Sequence, residues 1–159
     1  MKFVCDVMLG KLAGYLRILG LDTTYIADID RLNYYKNDSE KPVFFTRRTP
    51  EKVPYDKCIS IKSELVNEQL REIRDTIKPF INMDMLMSRC IRCNTTLGDA
   101  KKAEIEQFVP EYVLHRYDRF KTCPSCRKVY WQGSHTEHMM GWIEAFMAEG
   151  ERGKGKARG

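Results

Sequence analysis

Four of the six cysteines stand in two Cys-x-x-Cys pairs, Cys90/Cys93 and Cys123/Cys126. A tight turn with that spacing aims two thiolates at one ion, and two such turns supply the four ligands of a tetrahedral zinc at about 2.3 Å. The spacer, residues 94–122, is longer than in the tightest ribbons and has room for a helix and a strand. Four thiolates leave no open position for water, so the expected role is structural rather than catalytic. A redox pair or free thiols is the competing reading, and it accounts less well for two pairs of the same spacing in one chain. Cys5 and Cys58 remain outside the pairs. His135 and His138 follow the second pair, three apart at a helix start. They could replace a cysteine ligand or contact a phosphate, and ordinary surface histidines fit the same pattern.

Asp6 is the second centre of interest. It closes a short apolar run, residues 2–5 (KFVC), and a helical stripe of Leu9, Leu12, Ala13, Leu16 and Leu19 follows, stopped by Gly20. Ligands of open α/β sheets gather outside the carboxyl ends of strands, so Asp6 is a candidate metal carboxylate. It is equally a candidate N-cap for the helix, a role worth about 1 kcal/mol. Tyr130 and Trp131 could stack on unpaired bases, although aromatics at a strand end more often bury their faces.

The elements that must position these residues alternate in type. After the first strand and helix come a β-branched run at residues 23–26, a short helical stretch around 28–35, and a buried-looking strand at 42–46 (PVFFT). An apolar run at 57–61 precedes a helix over 64–77 with Leu65, Leu70, Ile73 and Ile77 on one side. Alternation of this kind predicts an α/β fold with a parallel sheet and covering helices. The pattern breaks at residues 79–88, which places a domain boundary at 86/87. Beyond it the expectation is a knuckle, a helix over 99–108, a strand near 111–115, the second knuckle, a strand at 129–131, and a terminal helix opened by a capping box of Ser134 and Glu137, with Met140, Ile143 and Met147 on one side.

At 159 residues the chain can bury one core plus a small metal-held module. Its 43% hydrophobic and 31% charged content is that of a globular protein. No run approaches the ~18 apolar residues of a membrane span, and Asp6 interrupts what would be a signal peptide, so the expectation is a cytoplasmic protein with no membrane partner. Net charge is +5, of which the tail ERGKGKARG carries four cations against one acid. Residues 149–159 thus read as a flexible basic arm able to touch phosphates, or as a solvated end.

Taken together, FVCDVMLGKLAGYLRILGLDT at the start, Asp30 with Leu32, FFTRR at the third strand, EQLREI at 68–73, SRCIRCN at 88–94 and CPSCRKVYWQGSH with Met139 after it resemble the Mut-seven carboxy-terminal RNase domain family, a branch of the PIN-like nucleases. The likeness runs from Phe3 to about Met139. It implies a PIN-like three-layer α/β/α domain (1–86) with a zinc ribbon and terminal helix (87–148) behind it. It also implies a ribonuclease in which Asp6 and Asp30 bind Mg²⁺ or Mn²⁺ while Lys11 and Arg17 face the RNA backbone. Gln69 matches a polar family position with no role assigned. Two departures stand out. The third strand ends Thr46-Arg47-Arg48 where the family usually has Thr-Arg-Asp, and Arg127 stands where the second knuckle usually has Gly. A cation at Arg48 repels a divalent metal and attracts phosphate. The alternative to an active enzyme is therefore a catalytically weakened module that binds RNA or a ribonucleoprotein. A zinc-stabilised protein-interaction module is the third reading, with Asp6 a mere cap.

Overall fold

The computed structural model describes residues 1–149. The basic tail therefore lies outside the described residues apart from Glu149. Chain contacts divide the molecule into a unit ending at Thr96 and a unit starting at Leu97.

The first unit is built on a four-stranded parallel sheet, β1 (Lys2–Cys5), β2 (Asp22–Tyr25), β3 (Val43–Thr46) and β4 (Cys58–Ser60), in the order β2-β1-β3-β4. β1 and β3 are central and buried on both faces, which is why FVC and VFF run as continuous apolar residues instead of alternating. On one face Val4 and Phe44 pack with Ile26, Leu32, Val53 and Tyr55. On the other, Phe3 stacks on Phe45 at 5.7 Å and meets Phe80 edge-on. All five residues of the expected stripe on α1 (Gly10–Ile18) and its flanks, Leu9, Leu12, Ala13, Leu16 and Leu19, are buried.

α1 ends in a complete Schellman turn. The Gly20 N–H donates to the Arg17 carbonyl and the Leu21 N–H to the Leu16 carbonyl, with Gly20 at φ +80°. A Cβ at Gly20 would lie 2.4 Å from the Met85 carbonyl oxygen, so glycine is required there on two counts. The stretch after β2 is a 3-10 helix, Ile29–Tyr35, capped by Asp28. In α2 (Val66–Ile77) the residues Leu70, Ile73 and Ile77 are buried, whereas Leu65 precedes the helix and is exposed.

The segment that carries the first knuckle belongs to this unit, so the contacts divide the chain after that knuckle rather than at 86/87. β2 is an edge strand, and the knuckle covers its open backbone groups: Asn94 Oδ1 accepts from the Thr23 N–H at 3.0 Å and Arg17 Nε donates to the Thr23 carbonyl at 2.9 Å. The Met87 N–H donates to the Ile18 carbonyl at 2.8 Å, which fixes the approach of the segment along α1.

The second unit holds a three-stranded antiparallel sheet, β5 (Gly98–Ala100), β6 (Phe120–Thr122) and β7 (Val129–Trp131), in the order β5-β6-β7. Its core is Ile105, Val109, Val113 and Phe120, with Trp131 packed against them. Here local pattern misleads. The helix expected over 99–108 is β5 followed by the short α3 (Lys102–Ile105), because Asp99 pairs with Lys121 of β6. The strand expected near 111–115 is the helix α4 (Glu111–Arg116), entered from Pro110 and burying Val113. α5 (Ser134–Ala148) starts one residue earlier than a Ser134 cap requires: Gly133 occupies the cap position and no side chain caps it, so the expected capping box is not formed. Ile143 and Phe146 form the buried side of α5, with Met140 and Met147 half-buried.

Candidate functional site

The chain leaves β1 toward β2 on one side and leaves β3 toward β4 on the other, so the carboxyl ends of β1 and β3 flank the point where the strand order reverses. Open α/β sheets bind ligands at such a point, because the diverging connections leave a crevice. Asp6 follows β1 there, and Thr46 and Arg48 end β3.

Asp6 is 1% exposed and all of its polar contacts are internal. Oδ1 accepts from the Val7 N–H at 2.8 Å. Oδ2 accepts from the Thr46 hydroxyl at 2.7 Å and from Arg48 Nε at 2.8 Å. Thr46 Oγ1 also accepts the Arg48 N–H at 3.0 Å, and the Ser60 hydroxyl donates to the Arg48 carbonyl at 2.8 Å. The ends of three strands are thereby tied into one network around a single carboxylate. The Arg48 side chain remains 42% exposed, and only its Nε is engaged. The other guanidinium N–H groups are available to an acceptor in the crevice.

Magnesium or manganese sites gather several oxygen ligands, usually from more than one carboxylate. Asp6 accepts three hydrogen bonds, from Val7, Thr46 and Arg48, and a guanidinium already provides the balancing charge. Asp30 is exposed on the 3-10 helix, its N–H donating to Asp28 Oδ1. Among the described residues no acidic group of three or more converges on a point; the only such set of Asp, Glu, His or Cys is the four paired cysteines. The buried carboxylate of the crevice is Asp6, and it is paired with Arg48.

The cysteines do fit a metal. The sulfurs of Cys90, Cys93, Cys123 and Cys126 all lie within 4.8 Å of one another. A tetrahedron with metal–sulfur bonds of about 2.3 Å has edges of about 3.8 Å, so small adjustments close it around one ion. The two knuckles share one backbone design. The Asn94 N–H donates to the Cys90 carbonyl and the Arg127 N–H to the Cys123 carbonyl, while the Cys90 and Cys123 N–H groups reach Thr95 and Lys128. Asn94 and Arg127 both sit at positive φ, +65° and +63°, which explains why glycine suits that position. Neither His135 nor His138 joins the ligand set.

The remaining sequence-derived site residues are placed as follows. Lys11 is exposed in the first turn of α1. Arg17 is 8% exposed and turned to the chain's own carbonyls, Thr23 through Nε and Ile91 through Nη1 at 2.6 Å. Burial pulls its pKa below the ordinary value, and the nearby Cys5, Cys90, Cys93 and Asp22 push it back up. Its placement is that of a bracket between α1, β2 and the knuckle. Gln69 is buried, and its amide donates to the Ser63 carbonyl at 2.9 Å, which holds the loop entering α2. Thr46 and Asn94, not singled out from sequence, are central to the crevice and the knuckle. Asn directly after a Cys-x-x-Cys was the available signal for Asn94, since Asn tolerates the left-handed conformation. Burial raises the Cys5 pKa to about 12, and burial with the Asp6 charge raises that of Cys58, so neither thiol is an activated nucleophile.

The chain thus has a parallel α/β unit with an acid at its switch point, a short antiparallel sheet in the second unit, and four close cysteines compatible with a zinc ribbon. The Mut7-C RNAse domain family matches residues 1–143, nearly the whole chain, and the chain belongs to that family. Comparison with curated proteins and with solved structures finds no match. Among the described residues no helix is long and apolar enough to cross a membrane.

Proposed function

We propose that this chain binds RNA across the carboxyl ends of β1 and β3, with metal-dependent cleavage suppressed by the Arg48–Asp6 pair, and that the four cysteines hold a structural zinc. The observation that carries the reading is the 2.8 Å contact of Arg48 Nε with Asp6 Oδ2. It spends the one buried carboxylate of the crevice on an internal cation. The same guanidinium keeps free donors facing outward, and a phosphate is the acceptor they suit in a chain of this family. Thr46 holds both partners in register. Zinc is the metal that a closed set of four thiolates selects, and it supplies folding energy rather than chemistry.

An active ribonuclease is the second reading, favoured by the location of Asp6 at the switch point of an RNase-family fold. The two are separated by RNA cleavage with added Mg²⁺ or Mn²⁺, measured at matched RNA occupancy so that a change in binding does not mask a change in the chemical step. The expected result is weak cleavage by the native protein and a gain of at least tenfold in Arg48→Asp, which frees Asp6 and adds a second carboxylate; adding Asp6→Asn removes the gain. Robust metal-dependent cleavage by the native protein, unchanged in Arg48→Asp, establishes the active enzyme instead.

A further inference from the structure

A second feature lies beside the Asp6 crevice, on the outer side of β2. A recess of about 390 Å³ is bounded by α1, β2 and the first knuckle, with Gly10, Arg17, Thr24, Tyr25, Arg92 and Asn94 among its walls. Its size is at the small end of the ~300–1,000 Å³ typical of ligand sites. Two of the walls are guanidinium groups, and no carboxylate lines it. Arg17 spends Nε and Nη1 on backbone carbonyls, so it contributes a fixed charge. Arg92 is exposed and makes no hydrogen bond or ion pair among the described residues. Tyr25 leans over the start of α1, 3.9 Å from where a Cβ on Gly10 would stand, and is 40% exposed. An aromatic face open to solvent next to an uncommitted arginine is the combination that takes a stacked base and its phosphate.

The walls are also stiff. Asn94 bonds both the Thr23 N–H and, at 2.7 Å, Asp22, so the knuckle turn that carries Arg92 is pinned at its end to the strand carrying Tyr25. Tyr25 pairs in register with Cys5, the residue before Asp6, so the recess opens at the same end of the sheet as the crevice.

Resting on the RNA-binding reading above, the geometry points to this recess as a subsite for one nucleotide of a single-stranded RNA, with the base stacked on Tyr25 and the phosphate held by Arg92. A strand crossing Asp6 and Arg48 places its next nucleotides there. Duplex RNA keeps its bases stacked on each other and cannot use the Tyr25 face. Specificity for unpaired RNA is therefore a property of the first knuckle and β2 rather than of the Asp6 crevice.

The test is a salt series of fluorescence-anisotropy titrations of the zinc-loaded full chain with a labelled single-stranded RNA of about eight nucleotides. Tyr25→Ala is expected to weaken binding roughly tenfold without changing the salt slope, and Tyr25→Phe to bind as the native chain does. Arg92→Ala is expected to weaken binding and lower the magnitude of the slope by about 0.7, the share of one single-strand phosphate contact, while Arg92→Lys keeps the slope. Binding of a duplex of the same length is expected to be insensitive to Tyr25→Ala. Native binding to single strands with both alanine variants unchanged overturns the recess alone. A native chain that binds no RNA overturns the RNA-binding reading and the recess with it.

Discussion

Arg48 and Asp6 show how one side chain redirects a site. Asp6 is placed as an acid at a switch point is expected to be placed, yet its charge is cancelled from the neighbouring strand end, and the crevice presents a cation. The same scale governs the alkaline limit of stability. Burial raises Cys5 from 9.0 to about 12, and burial with the charges of Asp56 and Asp38 raises Tyr55 from 10.0 to about 12. Tyr55 also donates its hydroxyl to the Pro42 carbonyl at 2.7 Å. Between those values the folded chain holds protons that the unfolded chain has lost, so unfolding free energy declines as pH rises. The contribution is fully present below pH 9 and disappears toward 12. Urea unfolding followed upward from neutral pH is expected to show the midpoint falling, and the double variant Cys5→Ala, Tyr55→Phe a shallower fall from a lower starting value.

At the scale of elements, the left-handed residues Gly20 and Arg127 predict opposite responses. Gly20 ends α1 at φ +80° against the Met85 carbonyl, so Gly20→Ala combines a disfavoured backbone with a collision and is expected to cost roughly 2 kcal/mol or more. Arg127 holds a comparable φ with a Cβ, so Arg127→Gly is expected to gain up to about 1 kcal/mol, the left-handed penalty less the added backbone entropy of glycine. Thermal melts of the zinc-loaded variants read both. A rise for Arg127→Gly larger than that for Asn94→Gly is the further expectation, because Asn94 also loses its bonds to Thr23 and Asp22.

For the whole molecule the decisive prediction is the metal. Elemental analysis is expected to find one zinc per chain, and strong chelation to lower the melting temperature and loosen the first knuckle, since small modules of this kind draw their folding energy from the ion. Protein purified without metal, with an unchanged transition after chelation, removes the zinc assignment. Much of this was legible from sequence because the signals are local. A Cys-x-x-Cys turn determines its own geometry, continuous apolar runs mark strands buried on both faces, and Leu9, Leu12, Ala13, Leu16 and Leu19 declare one side of α1 by spacing alone. The residues around 99–115 do not follow their local pattern because short segments take their conformation from partners: Asp99 becomes a strand residue by pairing with Lys121, and the 111–116 stretch a helix by burying Val113. Sequence determined that an acid ends the first strand and that an arginine ends the third. Only the tertiary structure decided that the two meet at 2.8 Å, that Arg17 is a bracket to Ile91 seventy-four residues away, and that Tyr25 and Arg92 share a recess, because such distances depend on how strands order in the sheet and not on any spacing along the chain.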